Sequence, residues 1–179
     1  MSKFIQKETQ IMSKIINDFM EFNKPEKNDR FLLFESITQV VDMIPSQLKN
    51  RDITLEVELD KEIKVFHNSK SIEHALLNLI MNARDAFEST NIKEKKIKVF
   101  TTDGEGFTAL HVEDNAGGIP EDVVKKVFNP YFTTKEQGTG TGIGLYMVKT
   151  MLKNGFKGDI TINKEKTGFT CFNIIIPAN

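Results

Sequence analysis

A chain of 179 residues, 39% hydrophobic and 27% charged, is long enough to bury a core and ordinary enough for a globular protein. Its formal net charge of −1 sets up no strong field toward nucleic acid or an acidic membrane, and no apolar run approaches the roughly 18 residues that cross a bilayer. The single cysteine, Cys171, excludes an internal disulfide, no Cys/His spacing suits zinc, and a reducing, cytoplasmic setting is the natural reading.

The chain opens Met1-Ser2-Lys3-Phe4 and runs into polar Gln6–Gln10 where a signal peptide would be apolar. Met1, Ile5, Met12, Ile15, Phe19 and Phe22 fall on a narrow heptad-like stripe that only Glu8 breaks. That spacing predicts one long helix, packed along another helix or folded onto its own domain. Residues 24–30 are polar, carry Pro25 and read as a hinge, which leaves 31–179 as the main domain. Ile37, Val40, Val41 and Ile44 predict an amphipathic helix ending near Pro45, and alternating stretches around Ile53–Leu59 and Ile63–Phe66 predict strands.

Ser69 or Ser71 is the expected cap of a long helix reaching about Ser89. Ile97–Thr102 and Thr108–Glu113 alternate like a hairpin joined through Gly104 and Gly106. A short helical piece near Glu121–Val127 precedes a helix expected from about Gly142 to an Asn154-Gly155 cap. Strands near Asp159–Asn163 and Phe169–Ile176 close the chain. Helices interleaved with mainly hairpin-linked strands predict an α+β fold, a two-layer sandwich with helices on one face of a mixed sheet.

Within the apolar run Ala75–Ala83 sit Asn78 and Asn82, four apart and so on one helical face, which His74 and Asp85 extend. One asparagine buried in a helix is ordinarily a satisfied core hydrogen bond, but two stacked in a greasy helix point to a polar ligand beside them. Hard oxygen donors with water are what Mg2+ accepts, and an asparagine carbonyl qualifies. Asp114-Asn115-Ala116-Gly117-Gly118-Ile119-Pro120 follows a predicted strand. It reads either as a plain turn or as a carboxylate placed to accept from an exocyclic amine such as that of adenine.

Glycines 138, 140, 142 and 144 lead straight into a helix, so free backbone N–H groups and the positive helix end converge as a phosphate cradle. The spacing is neither the dinucleotide fingerprint nor a Walker A loop, which would need a Gly-Lys pair. Val127–Lys135 carries Phe128, Tyr131 and Phe132 in a polar loop, which suggests a lid with an apolar latch. Phe128 is equally suited to filling a core gap.

Taken in order, His74-x3-Asn78-x3-Asn82, Asp114-Asn-Ala-Gly-Gly-Ile, Phe128-Asn-Pro-Tyr-Phe132, Gly140-Thr-Gly-Ile-Gly144-Leu and Gly168-Phe-Thr-Cys-Phe172 resemble the catalytic ATP-binding domain of two-component sensor histidine kinases. They correspond to its N box, glycine boxes and F box, over about residues 31–177. The resemblance implies the Bergerat ATP-binding fold, ATP and Mg2+ as cofactors, and residues 1–23 as the second helix of a dimerisation and phosphoacceptor hairpin. By the same resemblance Asn82 holds Mg2+, Asn78 lies near the phosphates, and Asp114 reads the adenine amino group with Thr170 in support. The backbone of Gly140, Thr141, Gly142, Ile143, Gly144 and Leu145 would hold phosphates, and Lys135 would reach the terminal one. Gly118, Ile119 and Phe132 complete the implied nucleotide contacts.

Two positions depart from that pattern. Ala116 replaces the first glycine of Asp-x-Gly-x-Gly, and Asp85 stands where many relatives carry a phosphate-binding lysine, so Asp85 is expected to act instead through an ordered water by the metal. None of the three histidines, His67, His74 and His111, is followed by an acidic residue, so no phosphoacceptor is identified. The chain is therefore expected to be part of a longer kinase that dimerises, phosphorylates a histidine outside these residues and serves a response regulator. The alternatives are a self-contained ATPase of the gyrase and chaperone kind, an anti-sigma-type serine kinase, and a non-catalytic binding module.

Overall fold

The computed structural model describes residues 28–135, 140–163 and 167–178. The predicted N-terminal helix, with Gly138 and Thr139, lies outside them. β1 (Asp29–Leu32) leads directly into α1 (Leu33–Met43), and Pro45 starts a short α2 (Pro45–Lys49), where its missing N–H costs nothing. β2 (Ile53–Glu58) and β3 (Lys64–His67) precede the long α3 (Ser69–Ala86), which ends in a 3-10 turn at Phe87–Ser89. The hairpin of β4 (Lys95–Gly104) and β5 (Phe107–Asp114) follows, then α4 (Glu121–Val124), α5 (Gly144–Phe156), β6 (Asp159–Asn163) and β7 (Thr170–Pro177).

Five strands form one sheet in the order β2-β4-β5-β7-β6, with β2–β4 parallel and the other neighbours antiparallel. β1 and β3 make a separate antiparallel pair. α3 packs against both α1 and α5, and this helical layer covers one face of the sheet, so the expected two-layer α+β sandwich stands. Inward residues alternate along the strands, as with Ile97 and Val99 of β4 and Phe172, Ile174 and Ile176 of β7. In α3 the buried Ile72, Ala75, Leu76, Leu79, Ile80 and Ala83 recur at helical spacing, and each large one contributes about 1.5–3 kcal/mol by leaving water.

Several local expectations need correction. β1 begins at Asp29, inside the stretch read as a hinge; four residues without alternation carry no strand signal, and pairing with β3 makes the strand. The cap of α3 is Asn68, not Ser69 or Ser71: its side-chain oxygen accepts from the backbone N–H groups of Lys70 and Ser71 at 2.8 and 3.4 Å. α4 is one turn, shorter than predicted. α5 runs past Asn154-Gly155 and closes on Lys157, left-handed at φ 55°, with Gly158 N–H donating to the Leu152 carbonyl at 3.0 Å.

Candidate functional site

Asp114 is the last residue of β5 and pairs in register with Thr170, the first of β7. Directly opposed residues of an antiparallel pair project from the same face, so carboxylate and hydroxyl stand side by side at the edge of the core. Both are buried, at 4% and 5% exposure. Burial pushes the Asp114 carboxyl up to about 6, only partly offset by the Ala116 N–H that donates to it at 2.9 Å.

Position 116 does not need glycine. The left-handed angles of this turn fall on Gly117 and Gly118, at φ 104° and 80°, so Ala116 fits without backbone strain. Gly117 N–H donates to the Gly168 carbonyl at 3.0 Å, which ties this turn to the one before β7. Asn115, to which the sequence assigned no role, fastens it to the start of β4. Its side chain accepts from Lys96 N–H and donates to the Glu94 carbonyl, each at 2.8 Å. An Asn in a turn after a strand was the available signal.

The aromatic segment divides. Phe128 meets Phe172 edge-on at 6.3 Å and packs on the core, with the Lys149 ammonium 4.8 Å from its ring centre. It fills a gap, as the plainer of the two expectations had it. Phe132 is half-buried, whereas Tyr131 is 76% exposed and left-handed at φ 64°. The Tyr131 backbone is pressed against the glycine run: a Cβ on Gly142 (φ 65°) would lie 2.4 Å from the Tyr131 carbonyl carbon. Only glycine fits there.

Gly144 opens α5 beside the asparagine pair, and a Cβ there would meet Asn78 Nδ2 at 2.6 Å. The missing side chain thus lets the helix start rest on Asn78. No side chain caps this helix at Ile143, which leaves its first N–H groups open to an anion. Asn82 Nδ2 donates to Asn78 Oδ1 at 2.9 Å, a bond that does not use the Asn82 carbonyl oxygen. His74, a turn earlier, is exposed.

Asp85 and Lys135 form an ion pair that the sequence did not foretell. Lys135 Nζ donates to Asp85 Oδ2 at 2.6 Å, while Arg84 donates to Oδ1 through Nε and Nη2 at 2.8 and 2.6 Å. Burial raises the Asp85 pKa, but hydrogen bonds and charge from Lys135 and Arg84 outweigh it and hold the carboxyl below its ordinary range. Of the remaining predicted positions, Ile119 packs on the core and Gly118 lies over the Phe169 carbonyl, while Gly140 and Thr141 lead into α5. The three histidines occupy a strand, α3 and a strand, as expected. Cys171 is buried and its thiol is pushed up to about 11, so it is inert at neutral pH.

A mixed sheet under a helical layer, with a glycine-led helix start and a buried carboxylate at a strand end, fits the class of nucleotide-binding sandwiches. The family of histidine kinase-, DNA gyrase B-, and HSP90-like ATPases matches residues 67–179, and the chain belongs to it. Its likeness within the family runs to the sensor kinases. It is 33% identical over 75% of its length to the sensor kinase CckA of Brucella abortus, covering 15% of that protein. It is 27% identical over 98% of its length to the histidine-protein kinase AtoS of Escherichia coli, covering 28% of it. The nucleotide-free catalytic domain of the histidine kinase ThkA superposes with a TM-score of 0.74 at 26% identity, over 85% of this chain and 96% of that one. ThkA in complex with the response regulator TrrA gives 0.76 at 25% identity, over 98% and 50%. The chain is a histidine-kinase-type ATP-binding domain, and it spans less than a third of the length of these curated relatives.

Proposed function

We propose that the domain binds Mg-ATP in a slot running from Asp114 to Gly144 and offers the γ-phosphoryl group to a histidine on a phosphoacceptor hairpin. The observation that carries this reading is the contact of Gly144 with Asn78, which supports a phosphate cradle and oxygen donors meeting at one place. Asp114 would accept from the adenine amino group with Thr170 beside it, Gly118, Ile119 and Phe132 would flank the nucleotide, and Gly140–Leu145 N–H groups would bind phosphate.

The residues fit Mg2+. Among the described residues no cluster of three or more His, Cys, Asp or Glu could hold a metal, and Mg2+ is commonly held by one or two protein oxygens together with substrate phosphates and water. Asn82 Oδ1, unused in the bond to Asn78, is the oxygen that would hold it. Bound there, the ion would neutralise phosphate charge, and the protein's own share is alignment of the nucleotide by backbone N–H groups.

Hydrolysis by the domain alone is not favoured. Asn78 stands where the gyrase-like relatives are expected to carry a glutamate base, and an amide is too weak a base to activate water. Residues 1–23 are assigned to the second helix of the hairpin, and the full protein to a cytoplasmic homodimer serving a response regulator.

Mixing the chain with Mg-ATP and a separate hairpin carrying a phosphoacceptor histidine should put acid-labile phosphate on that hairpin. Sustained ATP hydrolysis abolished by changing Asn78 would instead identify a self-contained ATPase. The metal assignment has its own check: Asn82→Ala should lose Mg2+-dependent nucleotide binding, and unchanged affinity would contradict it.

A further inference from the structure

The ion pair between Asp85 and Lys135 joins two elements fifty residues apart in sequence. Asp85 lies near the C-terminal end of α3, one turn beyond Asn82 on the asparagine face. Lys135 precedes the glycine run, and its stem lies along Gly140: a Cβ at Gly140 would meet Lys135 Cδ and Cβ at 3.2 and 3.3 Å. The lysine therefore crosses from the glycine run to the asparagine wall. Its ammonium ends on Asp85, one turn of α3 beyond Asn82.

Asp85 is held from its other side by Arg84, so its two oxygens serve two cations. One carboxylate between two cations leaves a net positive charge beside the slot. An ammonium has three donors, and the bond to Asp85 uses one of them. The side chains of Lys135 and Asp85 remain 35% and 21% exposed, so the ammonium is reachable.

Resting on the nucleotide-site reading, we infer that Asp85 is a positioning residue: anchored by Arg84, it holds the Lys135 ammonium at the phosphate end and so gives the site its preference for a nucleoside triphosphate over a diphosphate. Asp85 needs no contact with nucleotide or metal for this role, which replaces the water-mediated part expected from sequence. A flexible lysine fixed before the ligand arrives loses less side-chain freedom on binding, and the gain falls on the phosphate it reaches.

The test is calorimetric titration of the whole chain with ATP and with ADP, both with Mg2+, alongside thermal unfolding. Asp85→Asn and Lys135→Met should each lower ATP affinity roughly three- to tenfold, the range for one partly exposed charge-assisted hydrogen bond. ADP affinity should stay within about twofold, since the lost bond is to the third phosphate. The double variant should bind ATP no more weakly than Lys135→Met alone, because Asp85 acts only through the lysine. Asp85→Glu, which keeps the charge, should retain most of the ATP preference. An ATP-to-ADP ratio unchanged in Asp85→Asn, with binding intact, overturns the inference and leaves the nucleotide site standing. Tighter ATP binding by Asp85→Asn, or a full additional loss in the Lys135→Met background, overturns it too. A parent chain that binds neither nucleotide would sink the nucleotide reading and this inference together.

Discussion

The two ends of the proposed slot are made by opposite means. At the Asp114 end, strand register sets two side chains side by side, and the turn around them is sewn to β4 and to the turn before β7. What matters there is a functional group that is present. At the Gly144 end, loops and a helix start approach α3 and the Tyr131 backbone, and what matters is atoms that are absent. One end should therefore be disabled by chemical substitution without harm to the fold, and the other by the addition of a single methyl group.

The largest expected effect is at the crowded end. Gly142→Ala puts a Cβ against backbone, which cannot swing aside, at a left-handed position. It should cost about 1–3 kcal/mol of stability. ATP titration should show affinity reduced by two orders of magnitude or so, since the N–H groups proposed to bind phosphate shift with it. Near-parental binding would mean that the run is not the phosphate site.

Asp114→Asn should do the reverse to the fold. Its carboxyl, raised from 3.8 to about 6 by burial, binds protons more readily folded than unfolded. Its ionisation thus destabilises the ligand-free fold, a penalty complete above about pH 6 and relieved as pH falls through 6 toward 3.8. At pH 7 the variant should melt higher, with a gain of up to about 3 kcal/mol. Yet its ATP affinity should fall roughly tenfold or more, while bare triphosphate binding changes little. Equal losses for both ligands would count against adenine recognition at this end.

The same group sets a pH signature. The carboxylate is a stronger hydrogen-bond acceptor than the neutral acid, so the preference for ATP over triphosphate should weaken as pH drops through about 6. In Asp114→Asn, which has no carboxyl to titrate, this part of the pH dependence should be missing. The smallest effect belongs to Ala116→Gly: with the left-handed angles elsewhere, the added glycine should cost about 0.4–1 kcal/mol through the unfolded chain and leave ATP affinity alone. A clear gain in affinity would show that Ala116 impairs the site.

Much of this was legible in the residues. The hairpin of β4 and β5 is written in alternation and glycine, and α3 in its apolar stripe. The family was legible because its motifs each need a residue type with few substitutes: a carboxylate at a strand end, glycine where a Cβ has no room, asparagines in a helix. The β1–β3 pair was not, since a four-residue strand carries no period and forms through its partner. The cap of α3 was misread because Asn68, Ser69 and Ser71 are all competent and only the direction of the chain entering the helix chooses among them. The bond from Lys135 to Asp85 was also hidden: each residue was marked for its own reasons, and nothing in either neighbourhood says they meet.

Because β2 runs parallel to β4, the chain cannot return by a tight turn, and α3 lies on the crossing between them. β4 and β5 can close as a local hairpin, but β2 joins the sheet only by closing a long loop that contains the asparagine helix. Completing the sheet and laying the asparagine wall over it are thus coupled by connectivity. A cellular protease that samples opened forms would then cut chains whose sheet edge and asparagine helix are undone in the same event, so that surviving molecules also keep the proposed phosphate end.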